Sequence, residues 1–267
     1  MGEGAEAALY EVSDGVATIM LNRPDRLNAW TGDMETAYFD HLEEAAGDAD
    51  VRVVVVTGAG RGFCAGADME LLQAIGEAGG TGGGRARRPH TFPLTIPKPI
   101  IAAVNGACAG LGMVHAMMCD LRFAAAGAKF TTAFSRRGLV AEHGISWLLP
   151  RLVGQARALD LLLSARVFLA EEALELGVVN RVLPPEALLD ETITYARDLA
   201  ANVAPSSMEA IKHQVYRHSA TDLAEAMRET NELMAESLRR PDFKEGVASF
   251  VEKRPPNFPG VSREPTS

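Results

Sequence analysis

The sequence predicts an α/β core followed by a helical C-terminal subdomain, and three observations carry that reading. Val51 to Thr57 (V-R-V-V-V-V-T) is a near-continuous β-branched run, which suits a strand buried on both faces of a helix-covered sheet. Ile100 to Val104 is a second apolar run, and each run leads into a glycine-rich turn and then a helix-like segment. After Pro184-Pro185 the strand-like runs stop, and the pattern from Glu186 onward is helical. The expected division is therefore a core over 1–185 and a helical subdomain over 186–267.

Whole-chain properties narrow the function classes. The 267 residues are 47% hydrophobic and 23% charged, enough for one large core. A net charge of −9 argues against non-specific nucleic-acid binding, but it leaves room for an anionic small ligand at a local basic patch. Cys64, Cys108 and Cys119 fit neither a disulfide framework nor a zinc site. Reduced thiols and a cytoplasmic location are the simplest expectation. The N-terminal M-G-E-G-A-E-A has neither a basic nor an apolar region, so no signal peptide is expected, and no apolar run is long enough to cross a membrane. There is no internal sequence repeat.

Taken in order, Gly15 to Leu21 reads as a strand, and residues 22–30 as a loop. Thr31 is placed to cap an amphipathic helix over Met34 to Ala46. Gly58 to Asp68 is the first glycine-rich turn, and Met69 to Ile75 begins a helix. Gly76 to Arg88 is a glycine-rich surface loop with Arg85, Arg87 and Arg88, a candidate to order over a phosphate-bearing ligand. Asn105 to Gly112 is the second turn, with a helix over Met113 to Cys119. Leu121 to Ala126 is a strand, Phe130 to Phe134 extended, and 136–144 a turn holding Glu142 and His143. Trp147 to Val153 is apolar and helical or turn-like, with Pro150 as an interruption. Helices follow over Ala156 to Ser164 and Ala170 to Leu176, the latter closed by Gly177, and then a strand-like run over Val178 to Leu183. In the tail, Ser206 with Glu209 reads as a capping box, and Asp222 with Glu225 as a similar start signal.

Two turns of one kind, each between a buried strand and a helix, can aim one backbone N–H apiece at a single carbonyl oxygen. Such a pair stabilises an enolate or tetrahedral oxyanion. Several segments also carry a family resemblance: L-N-R-P-D-R-L-N-A (21–29), V-V-V-V-T-G-A-G-R-G-F-C-A-G-A-D (53–68), K-P-I-I-A-A-V-N-G-A-C-A-G-L-G (98–112), A-M-M-C-D (116–120), L-V-G-Q-A-R-A (152–158), A-L-E-L-G-V-V-N-R-V (173–182) and F-V-E-K-R-P-P-N-F (250–258). Together they resemble the enoyl-CoA hydratase/isomerase (crotonase) superfamily across nearly the whole chain. The resemblance implies a spiral core of ββα turns, a homotrimer or hexamer, and an acyl-CoA thioester as substrate, with no cofactor beyond the substrate's own CoA and no metal. It assigns the oxyanion-hole donors to Ala67 and Leu111. It assigns CoA contacts to Arg26, Leu27, Ala29, Ala65, Asp68 and Met69, and to Phe250 and Lys253 from this or a neighbouring subunit.

The chain also departs from the family. The two positions where the resemblance places a hydratase's glutamates hold Val114 and Phe134, which line a pocket in this reading and cannot titrate. A third family position holds Glu142, where some Δ3,Δ2-enoyl-CoA isomerases keep the glutamate that shuttles a proton between acyl C2 and C4. Its apolar neighbours (Leu139, Val140, Ile145, Trp147, Leu148) predict a raised pKa. His143, adjacent in an extended segment, is expected to point the other way. His115 reads as core or pocket lining, and Trp147 as core or pocket wall. The favoured reading is an isomerase with Glu142 as its single acid/base. Alternatives are a hydratase with a rearranged acid/base set, either Glu142 alone or Glu142 with His143, and a non-catalytic acyl-CoA binder. A Rossmann site is disfavoured because Phe63 stands at the third glycine of the fingerprint.

Overall fold

The apolar runs order the sheet. The computed structural model describes residues 6–79 and 88–261. In chain order the elements are β1 (Ala8–Ser13), β2 (Val16–Leu21), α1 (Gly32–Gly47), β3 (Val53–Gly58), β4 (Gly62–Cys64), α2 (Met69–Glu77), β5 (Ile100–Val104), β6 (Ala107–Ala109), α3 (Leu111–Met118), β7 (Leu121–Ala125) and β8 (Lys129–Thr131). They continue with α4 (Ile145–Val153), α5 (Gln155–Ser164), β9 (Phe168–Leu169), α6 (Ala170–Leu176), β10 (Arg181–Leu183), α7 (Leu188–Asn202), α8 (Pro205–His218), α9 (Leu223–Ser237) and α10 (Pro241–Glu252).

Two sheets form, in the orders β1-β2-β3-β5-β7-β10 and β4-β6-β8-β9. Three times a longer strand in the first sheet is followed by a short strand in the second and then a helix: β3-β4-α2, β5-β6-α3 and β7-β8-α4. Each pass adds its strand on the same side, in parallel, so the core winds as a spiral. The order never reverses from β2 to β10, so there is no switch-point crevice of the dinucleotide-binding kind. The repeat is one of geometry and leaves no trace as a repeated sequence.

Burial explains the composition of the strands. Every residue of β3 and β5 is buried, as the β-branched run predicts. Helix α1 covers the sheet with Met34, Tyr38, Leu42 and Ala45, spaced at one helical face. Thr31 starts it, its Oγ1 accepting the Met34 N–H at 3.2 Å. Helix α3 is buried from Gly112 to Met118. Asp120, which ends the A-M-M-C-D segment, accepts the Ile100 N–H at 2.7 Å and the Tyr216 hydroxyl at 2.9 Å, and pairs with Lys212 at 2.9 Å. That aspartate therefore anchors α8 to the start of β5.

Several expectations change. The strand β1 was not anticipated, because only Ala8 in it is buried and an exposed edge strand carries no apolar alternation. The two glycine-rich turns contain β4 and β6. Extended structure stops at Thr131 rather than Phe134, since Ala133 has φ +60° and Phe134 turns into αR backbone. In the run 178–183 only Arg181–Leu183 is strand. The Ser206 capping box does not form: α8 begins at Pro205 with no side-chain cap, and Ser206 Oγ donates instead to Asp242 Oδ2 at 2.5 Å. Asp222 does cap α9, accepting the Glu225 N–H at 2.8 Å. Arg88 turns inward to pair with Asp40 and Glu43, so it is not free for a phosphate, while Arg85 and Arg87 lie outside the described residues. The first helix of the tail, α7, packs across β2, β3, β5 and β7 and belongs physically with the core.

The turns meet at van der Waals limits. A Cβ on Gly112 would lie 2.1 Å from the backbone oxygen of Cys64, which cannot swing aside. Gly112→Ala is expected to cost about 3 kcal/mol of stability by forcing the layers apart. Gly76→Ala, in helix α2 with no atom within 4 Å, is the control and should gain up to about 1 kcal/mol. Urea denaturation midpoints of the two variants decide this.

Candidate active site

Two asparagines fasten the glycine-rich turns. Asn105 Nδ2 donates to the oxygens of Gly58 and Gly60, both at 2.9 Å, and its Oδ1 accepts the Gly58 N–H at 3.2 Å. Asn28, fully buried, donates to Gly62 O at 2.7 Å and Ala59 O at 3.0 Å and accepts the Arg23 N–H at 2.8 Å. Buried amides of this kind are tolerated because each polar atom is satisfied.

Two glycines then aim the backbone. Gly66 (φ +100°) and Gly110 (φ +51°) adopt conformations that side-chain-bearing residues rarely take. Each immediately precedes a sequence-predicted donor, Ala67 and Leu111. Among the described residues neither of those N–H groups donates to an acceptor within the chain. Leu111 is the first residue of α3, where helical N–H groups are unspent and the helix dipole is positive. Both residues line one cavity of about 330 Å³. The cavity thus offers two unspent N–H donors to a carbonyl oxygen that gains negative charge.

Glu142 lines the same cavity. Its side chain is 34% exposed, and its Oε2 lies 3.5 Å from His143 Nε2. The two side chains meet because His143 has left-handed backbone (φ +56°), so the expectation that an extended segment would separate them fails. The expected rise in the Glu142 pKa also fails. The hydrogen bond from His143 holds its carboxyl below the usual carboxylate range, against the opposing effect of partial burial.

The remaining predicted residues divide. Arg26, Ala29, Ala65, Asp68, Met69 and Phe134 line the cavity, and Phe134 is its apolar wall. Asp68 is engaged within the chain: it caps α2 by accepting the Glu70 N–H at 3.1 Å and pairs with Arg23 at 3.0 Å, which lowers its pKa. Leu27 is not part of the lining. It sits beneath Gly62, and its carbonyl accepts the Ala65 N–H at 3.0 Å, so it shapes the loop instead. Val114 is fully buried in α3 and is not part of this cavity's lining, which corrects its expected place in the pocket. His115 is core, stacked on Trp30 with ring centroids 3.9 Å apart. Trp147 is neither core nor pocket wall: it is 37% exposed, with the Arg151 guanidinium 3.7 Å over its ring. Phe250, 86% exposed, lies by an apolar groove between α8, α9 and α10, and neither it nor Lys253 reaches the cavity in this chain.

Some site residues were not singled out. Arg137 and Leu139 line the cavity beside Phe134, and their nearness follows from the turn at Ala133. Gly66 and Gly110 were legible as glycines before the donors. His90, whose ring centroid lies 4.0 Å from that of His143, had no sequence signal, because 52 intervening residues separate them in the chain.

Comparison with known proteins agrees with this geometry. The family described as enoyl-CoA hydratase/isomerase matches residues 11–261. The chain is 37% identical over 260 residues to the 1,2-epoxyphenylacetyl-CoA isomerase of Escherichia coli K12, covering 96% of this chain and 99% of that one. It is similar to the solved structure of an enoyl-CoA hydratase, EchA12_1, from Mycobacterium marinum: 51% identity, TM-score 0.69, 79% of this chain and 97% of that one. A second, an enoyl-CoA hydratase from Polaromonas sp. JS666, gives 30% identity and TM-score 0.87 over 94% of this chain and 99% of that one.

The Glu142–His143 contact has a measurable consequence. A carboxyl whose pKa is depressed in the folded state stays ionised as pH falls, until the lowered value is reached. In ¹³C carboxyl NMR titrations Glu142 should titrate below 4.5, and His143→Asn should move it upward. An unchanged midpoint in that variant refutes the contact as the cause.

Proposed function

The chain belongs to the enoyl-CoA hydratase/isomerase family, and we propose that it acts on an acyl-CoA thioester as a Δ3,Δ2-enoyl-CoA isomerase. The observation that carries the choice is the set of carboxylates around the two N–H donors. Asp68 is committed to Arg23 and to the cap of α2, and the Glu70 side chain is 80% exposed beside Arg26. Glu142 is the carboxylate left for the acyl group, and the two positions of a hydratase pair are an apolar wall and a core valine.

In this mechanism the thioester oxygen accepts the N–H bonds of Ala67 and Leu111. Glu142 removes a proton from C2, and the electron pair delocalises into a dienolate held by those donors. Glu142 then returns a proton to C4, moving the double bond into conjugation. Its depressed pKa keeps it ionised and ready as a base, and it makes the protonated form a willing donor. CoA lies along Arg26, Ala29, Ala65 and Met69.

A second reading, hydration with Glu142 and His143 sharing the acid and base roles, is favoured by their 3.5 Å contact and by the hydratases among the similar structures. A third, binding without turnover, needs no acid/base at all.

The chain acts in the cytoplasm, with its three cysteines free and buried, as a homotrimer or hexamer. Exposed Met234, Phe243, Val247 and Phe250 supply apolar surface for that assembly. Sedimentation at three or six times 28.5 kDa is the expected result, and a monomer refutes it.

A panel of 2-enoyl- and 3-enoyl-CoA thioesters separates the readings. Isomerisation leaves the mass unchanged and hydration adds water. Glu142→Gln should lower kcat by about 10²–10⁴-fold without loss of fold. A variant that works at the unmutated rate removes Glu142 from the mechanism, and binding without turnover of any member leaves the binder reading.

A further inference from the structure

The neighbours of Glu142 form a chain of rings leading away from the cavity. His143 Nε2 faces Glu142 at 3.5 Å, and the His143 ring packs against that of His90 with centroids 4.0 Å apart and planes tilted by 58°. His90 Nδ1 lies 3.1 Å from His115 Nε2, and His90 Nε2 lies 3.4 Å from Glu35 Oε2. Trp30 Nε1 donates to that same carboxylate oxygen at 3.3 Å.

These contacts assign the protons. A carboxylate only accepts, so His90 carries its proton on Nε2, toward Glu35. His90 Nδ1 is then an acceptor, and His115 Nε2–H is its donor. His115 Nδ1 is left as a bare lone pair, which accounts for a buried ring nitrogen without a hydrogen-bond partner. Burial, with His143 alongside, pushes the His90 pKa down to about 4, so this tautomer is the neutral one at ordinary pH. His90 and His115 are thus a fixed wall with no proton to spare. The His143 side chain, by contrast, is 30% exposed and touches both this wall and Glu142.

We infer that His143 is a positioning residue that takes the proton from Glu142 during turnover and exchanges it with water, held in place by the His90 ring. The inference rests on the isomerase reading above. The C2–H bond breaks, its electrons entering the dienolate and its proton going to the Glu142 carboxylate. Glu142 passes that proton to Nε2 of a neutral His143 that carries its hydrogen on Nδ1, giving a carboxylate and an imidazolium, the form whose Nε2–H donates to that carboxylate. The imidazolium gives that Nε2 proton to water and takes one from water back onto Nε2. The reverse steps deliver a water-derived proton to C4, so nothing is oxidised or reduced. Glu142 faces the cavity on one side and His143 on the other, and the partly exposed His143 ring connects it to solvent.

The test uses a 3-enoyl-CoA thioester deuterated at C2, in ordinary water, with the product's mass and NMR spectrum read after single-pass conversion. The wild-type product should lose most of its transferable deuterium. His143→Asn, whose side chain tolerates the positive φ of this position, should still turn over and retain several-fold more. Wild-type product that keeps the deuterium overturns the inference and leaves the isomerase reading standing. The same result follows if the folded variant loses label as the wild type does. If the variant does not fold, the wild-type arm decides alone. Wild-type protein that converts no 3-enoyl thioester removes the isomerase reading and this inference with it.

Discussion

The site depends on how closely two glycine-rich turns can approach. Backbone meets backbone where β4 and β6 lie side by side: a Cβ on Gly106 or Gly112 would sit about 2 Å from the carbonyl oxygens of Arg61 and Cys64. Asn105 and Asn28 spend their amides on carbonyls of the first turn and hold it in register with the second. With that spacing fixed, the positive φ of Gly66 and Gly110 directs the chain so that the N–H groups of Ala67 and Leu111 are left unspent beside one cavity. A preformed pair of donors needs no reorganisation when charge develops on a bound carbonyl, which is where such a site gains its rate.

The side of the cavity where we place the acid/base is built differently. The donors stand on a rigid buried frame, whereas Glu142 and His143 occupy a turn just before α4. Left-handed backbone at His143 brings the imidazole round to the carboxylate, and the wall of His90, Glu35, His115 and Trp30 fixes the far side of that imidazole. Loop placement allows a carboxylate to differ between relatives on one scaffold, which fits a family whose members carry names of both hydratases and isomerases.

Much of this was legible from the residues. Val53 to Thr57 and Ile100 to Val104 are buried strands because an uninterrupted β-branched or apolar run has no solvent face to offer. The glycines marked both turns. Thr31 and Asp222 marked helix starts that form as read. Ser206 followed the same local rule and failed, because Asp242 from α10 competes for its hydroxyl across 36 residues. Edge strand β1 and the short strands β4 and β6 were hidden, since their hydrogen-bonding partners, not their side chains, define them.

The sequence by itself determined the layers, the two turns and the lack of titratable groups at Val114 and Phe134, because those follow from side-chain type and local spacing. Only the tertiary structure decided how Glu142 is charged. Its apolar sequence neighbours argued for a raised pKa, yet Val140 is 79% exposed and His143 curls back to donate to the carboxylate. Likewise His90, Glu35 and Trp30 join the site from two distant segments, through contacts that chain proximity does not encode. A pKa reports on whatever lies within a few ångströms, and in a folded chain those neighbours are chosen by packing.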